Sequence, residues 1–64
     1  MPLAQVSLLK GASEEQKRAV IANVTDALCR SLDAPAGSVR VLIQELGDID
    51  WGVGGKPVRD HLSK

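Results

Sequence analysis

Residues 13–35 read SEEQKRAVIANVTDALCRSLDAP, and this stretch decides the fold. Its first four residues form a capping box, in which Ser13 caps a helix and Gln16 reaches back to it. Glu14 and Glu15 put negative charge in the first turn, where the helix dipole favours it. From there Val20, Ile21, Val24, Ala27, Leu28 and Leu32 recur at helical spacing and make one apolar stripe. Arg18, Asn23, Asp26 and Arg30 fall mostly on the opposite side. DAP ends the run, because the proline pushes Ala34 out of the helical region. The spacing predicts one helix of about 19 residues, spanning about 28 Å.

Both flanks of this helix alternate. Upstream, PLAQVSLL sets Ala4, Val6 and Leu8 on one face and Gln5 and Ser7 on the other. That is strand-like, and Pro2 at its head is one of the few strand positions where proline is tolerated. Downstream, SVRVLIQEL alternates more cleanly: Val39, Val41 and Ile43 line one face, and Arg40, Leu42 and Gln44 the other. An eight-residue strand spans about 26 Å, so the helix carries the chain back along the first strand. The expected fold is therefore α+β: a right-handed βαβ unit with parallel strands. Residues 47–57, GDIDWGVGGKP, are turn-rich and predict a tight turn or short hairpin. The closing VRDHLSK is too short and mixed to assign.

Sixty-four residues make a single domain, residues 1–64. A chain this short is marginal alone and usually needs disulfides, a metal or oligomerisation. Cys29 is the lone cysteine and His61 the lone histidine, so neither a disulfide nor a metal-ligand spacing is available, and no metal is expected. Oligomerisation remains. The sheet face opposite the helix, carrying Leu42 and Leu46, has no cover within the chain and points the same way.

Net charge is zero, with eight basic and eight acidic residues, and Trp51 is the one aromatic. Neither a basic stripe nor a stacking platform is present, which argues against a nucleic-acid partner. No apolar run reaches the ~20 residues of a membrane span, and MPLAQV lacks the charged and apolar regions of a signal peptide. A cytoplasmic location is expected, with no membrane partner. GVGG lacks the spacing and the following helix of a phosphate loop, which argues against nucleotide binding.

The parallel arrangement has a chemical consequence. Both strands start at the same edge of the sheet, so Pro2 and Arg40 share one end, within a chain or across a subunit contact. Removal of Met1 would give Pro2 a free secondary amine, and an α-amino group titrates near neutrality, at about 7.7–8.0. On position alone, Pro2 is a strand-initiating residue and Arg40 a solvated strand-end charge.

The segments PLAQVSLLKG, SEEQKR, RSLDAP, SVRV and WGVGG, in this order in a chain beginning Met-Pro, resemble the 4-oxalocrotonate tautomerase family. The likeness runs to about Gly55. It implies a βαβ unit with a short C-terminal hairpin, assembled as a hexamer. It implies a tautomerase that interconverts the enol or dienol and keto forms of a small 2-oxo acid without a cofactor. Pro2 matches the amino-terminal proline that acts as general base after Met1 removal. Arg40 matches an arginine that binds the substrate's carboxylate and carbonyl end. Trp51 takes the place of an aromatic that walls the pocket; unaided, it would be read as core or interface. The family's second arginine, after the glycine that closes the first strand, is here Ala12. That departure argues against a dicarboxylate gripped at both ends. Lys10 lies close by in sequence, but strand parity gives no assurance that it points into the pocket.

Physical chemistry asks for these parts. Moving a proton between oxygen and carbon needs a base with a pKa near the working pH. An amine beside an apolar wall and a cation is pulled down toward that range. Arg40 can grip a carboxylate with two prongs and stabilise a developing dienolate. Two other functions stay open: a low-activity partner subunit of a mixed hexamer, favoured by Ala12, and a hydratase-like or dehalogenase-like relative in which Asp48 or Asp50 activates water. The ordinary role of those aspartates is turn geometry. Cys29 is read as a packed thiol and His61 as a surface residue.

Overall fold

A computed structural model describes residues 1–62. The chain runs β1 (Leu3–Leu9), α1 (Glu14–Leu32), a 3-10 turn (Ala36–Ser38), β2 (Arg40–Leu46), β3 (Gly52–Val53), β4 (Lys56–Pro57) and α2 (Arg59–Leu62). β1 and β2 pair in parallel, from Leu3 opposite Arg40 to Leu9 opposite Leu46. α1 connects them and packs against β2.

The capping box forms as its spacing predicts. The Ser13 hydroxyl accepts from the Gln16 N–H at 3.1 Å, and the Gln16 side chain accepts from the Ser13 N–H at 2.9 Å. At the other end the helix closes at Asp33, in the left-handed region with φ 54°, ahead of the Ala34–Pro35 step. Aspartate is one of the few non-glycine residues that adopt this conformation readily. β2 starts at Arg40 rather than Ser38, because Ser38 is taken up by the 3-10 turn.

The hairpin falls within the turn-rich stretch. Val53 pairs with Lys56 across Gly54 and Gly55, whose φ values are 63° and 88°. Two successive positive φ angles match the twist of a two-residue hairpin turn, and glycine adopts them without a steric cost. The unassigned tail begins with the short helix α2. The Arg59 N–H donates to the Asp48 carbonyl at 3.0 Å, and the Val58 N–H donates to Trp51.

Alternation on the strands sorts as expected. Ala4, Val6 and Leu8 of β1 and Val41 and Ile43 of β2 are half-buried, as are Val20, Val24 and Leu28 of α1. Gln5, Ser7 and Gln44 are exposed on the other face, together with Leu3 at 60% and Leu42 at 50%. Among the described residues Val39 alone is buried hydrophobic core. The protomer exposes 4845 Å². A compact monomer of its 6.8 kDa mass would expose only about 3950 Å². Its radius of gyration is 14.8 Å, against roughly 10.7 Å for a compact chain of this length. One helix on a two-stranded sheet, with a hairpin extending beyond it, has too little surface facing itself.

Candidate active site

β1 and β2 open side by side, and this puts Pro2 next to Arg40. The Arg40 N–H donates to the Pro2 carbonyl at 3.0 Å, extending the parallel ladder by one rung. Pro2 is half-buried, and Met1 beyond it is 84% exposed. The Arg40 side chain folds back toward the turn that precedes its strand. Its Nη1 donates to the Gly37 carbonyl at 2.9 Å and to the Val39 carbonyl at 3.3 Å.

The other arginines are paired with acids. Arg18 pairs with Glu14 at 2.8 Å, Arg30 with Asp26 at 3.0 Å and Arg59 with Asp48 at 2.8 Å. Among the described residues, Arg40 is the arginine without an acidic partner. A guanidinium that donates only to neutral carbonyls keeps its positive charge available to an incoming anion. Lys17 and Glu45 form a further pair at 2.8 Å. The hydrogen bond from Lys17 holds the Glu45 carboxyl below the usual carboxylate range. Asp48, through its hydrogen bond and charge, pushes Arg59 higher still.

Trp51 stands elsewhere in the protomer. It follows the far end of β2, and the strand from Arg40 to Leu46 covers about 20 Å. Ala12 also belongs to that far end, half-buried just past Gly11, which closes β1 at φ 132°. An open cleft of about 450 Å³ lies there, lined by Leu9, Lys10, Ile49, Asp50 and the Asp48–Arg59 pair. The structure thus brings together Pro2 and Arg40 and sets Trp51, Lys10 and Ala12 at the opposite end. Asp48 and Asp50 are at that opposite end too, and Asp48 is committed to Arg59. Cys29 is half-buried in α1. His61 is exposed, with Nε2 3.3 Å from the Val53 carbonyl. No group of three or more metal-ligating side chains occurs among the described residues.

Sequence reasoning singled out Arg40 but missed the turn that holds it. The signal was in APAGS: a proline followed three residues later by serine is turn chemistry, with the hydroxyl able to close the loop on itself. The Asp48–Arg59 pair was also missed, since it joins residues eleven apart across the hairpin.

A family model described as "Tautomerase enzyme" matches residues 2–61. The chain is 48% identical over 59 residues to a 2-hydroxymuconate tautomerase from Stutzerimonas stutzeri, covering 92% of this chain and 94% of that protein. Among solved structures, it matches a 4-oxalocrotonate tautomerase isozyme from Methylibium petroleiphilum at 42% identity with a TM-score of 0.92. That match covers 97% of this chain and all (100%) of the other. It matches a heterohexameric 4-oxalocrotonate tautomerase from Chloroflexus aurantiacus at 33% identity and a TM-score of 0.90, over 94% of this chain and 97% of that one. The chain belongs to the tautomerase family.

Proposed function

We propose that this protein is a tautomerase that interconverts the enol or dienol and keto forms of a small 2-oxo acid. Once Met1 is removed, the Pro2 nitrogen is a secondary amine and the general base. It takes the proton from the enol hydroxyl, which leaves a dienolate, and returns the proton to carbon. Arg40 binds the substrate carboxylate and stabilises the negative charge that builds up as the proton leaves. No cofactor takes part. The observation that carries this is the backbone pairing of Pro2 with Arg40 at one sheet end, with Arg40 the arginine that has no acidic partner among the described residues.

Trp51 walls the same pocket from a second protomer, because its own lies about a strand length away. The working unit is then an oligomer, a hexamer by analogy with relatives of this size. The surplus exposed surface and the uncovered Leu3 and Leu42 support assembly. A second possibility is favoured by one residue: Ala12 leaves the far end of β1 without an arginine, as suits one chain of a mixed hexamer whose partner supplies that cation.

The test is chemical blocking of the terminus. Intact mass of the untagged protein is expected to lack Met1. With 2-hydroxypenta-2,4-dienoate as substrate, acetylating Pro2 should lower kcat/KM by about a hundredfold or more, the usual contribution of a positioned base. Undiminished activity after complete acetylation would refute the proline mechanism.

A further inference from the structure

Given the carboxylate-binding role proposed for Arg40, we infer that the Pro35–Val39 turn is the device that aims it, with Ser38 as a positioning residue, and that the turn leaves the Nε–Nη2 edge of the guanidinium to take the carboxylate. The turn is closed by three bonds. The Ser38 hydroxyl donates to the Pro35 carbonyl at 2.8 Å, and the Ser38 N–H donates to the same oxygen at 3.0 Å. The Val39 N–H donates to the Ala36 carbonyl at 3.1 Å. Closing the turn this way leaves the Gly37 carbonyl available to Arg40 Nη1 at 2.9 Å. The second carbonyl, 3.3 Å from Nη1, belongs to Val39, which is buried, so one side of the clamp is anchored in the core.

The stereochemistry follows from counting donors. A guanidinium carries five N–H groups in a fixed plane, two of them on Nη1. Both of the Nη1 hydrogens go to Gly37 and Val39. One hydrogen on Nε and two on Nη2 remain. The Nε hydrogen and the nearer Nη2 hydrogen are parallel and match the two oxygens of a carboxylate. The last Nη2 hydrogen can reach the adjacent enol or keto oxygen of a 2-oxo acid. An ammonium in place of the guanidinium has three hydrogens, so bonding both carbonyls would leave one, too few for a two-pronged contact with a carboxylate. The turn therefore fixes which edge of the guanidinium meets the ligand.

Two measurements test this. In steady-state kinetics with 2-hydroxypenta-2,4-dienoate, Ser38→Ala should raise KM about two- to tenfold, the worth of one neutral hydrogen bond, with kcat little changed. Ser38→Thr keeps the hydroxyl and should restore KM. If Arg40→Ala raises KM while Ser38→Ala does not, the turn does not position the arginine, and the proposed site stands without it. If Arg40→Ala leaves KM unchanged, Arg40 is not the anchor and the site assignment itself fails. The second measurement needs no variant with a disturbed turn. In the unmodified protein, titration with penta-2,4-dienoate, which has a carboxylate but no enol proton, should shift the Arg40 Nε–H resonance in a nitrogen–proton spectrum. The peak is assigned by its loss in Arg40→Lys. A saturating titration that leaves that peak in place would overturn the edge assignment.

Discussion

Leu42→Asp tests whether the protomer is stable only as part of an assembly. Leu42 sits on the sheet face away from α1 and is 50% exposed, with Leu3 on the same face at 60%. Fully burying a leucine side chain is worth about 1.5–3 kcal/mol, so covering the exposed half contributes roughly 0.8–1.5 kcal/mol per copy. An aspartate there loses that gain and leaves a desolvated, unpaired carboxylate, costing about 3–5 kcal/mol more. Together this weakens each contact by roughly a thousandfold or more. Since Val39 alone is buried among the described residues, the released protomer has little to hold its fold. Size-exclusion chromatography with light scattering at micromolar concentration should show a multimer for the unmodified protein. Leu42→Asp should be dissociated, with a reduced helical circular-dichroism signal. Leu42→Met, which conserves volume, should remain assembled. The reasoning fails if Leu42→Asp elutes as the same assembly with the same helical signal, or if the unmodified protein is a folded monomer.

Two further predictions concern the far end of the sheet. Ala12→Arg should raise kcat/KM on 2-hydroxymuconate, which has a carboxylate at each end, roughly ten- to a hundredfold, the worth of one charge-assisted hydrogen bond. On 2-hydroxypenta-2,4-dienoate, with one carboxylate, it should change little; an equal gain on both substrates would contradict the two-ended argument. Glu45, held by Lys17 below its ordinary value of 4.5, contributes stability above that value, and the contribution is lost as pH falls through the lowered one. Melting temperature should therefore drop on acidification below about pH 4.5, less steeply in Lys17→Met, and identical slopes would show that the pair does not carry the effect.

The elements that local chemistry specifies were legible in the sequence. Ser13 and Gln16 cap α1 as their spacing requires, and Gly54–Gly55 turn the hairpin because little else adopts two positive φ angles in succession. Strand parity sorted Val41 and Ile43 from Leu42 because a strand presents alternate residues to opposite faces. Matching the lengths of α1 and the strands put Pro2 and Arg40 at one end. Long-range pairings were not legible. Nothing local in Arg59 announces Asp48, and α2, too short to carry a periodic pattern, depends on that contact. The close of α1 was attributed to Pro35, while the chain in fact turns at Asp33, whose left-handed conformation the sequence permits but does not demand. Trp51 was expected beside Pro2 and Arg40, but within the protomer the length of β2 separates it from them, a distance set by strand topology rather than by anything local to the tryptophan.

The pH dependence of kcat/KM tests the central claim, that Pro2 is the base, most directly. The base acts in its neutral form, so activity should rise with pH through a single ionisation and then level off. In the proposed site, where Arg40 binds the same substrate that Pro2 deprotonates, a cation close to the amine would disfavour its protonated form, so that ionisation should fall below the ordinary α-amine value of about 7.7–8.0. A profile that is flat across the neutral range, measured on protein shown by mass to lack Met1, would contradict the account.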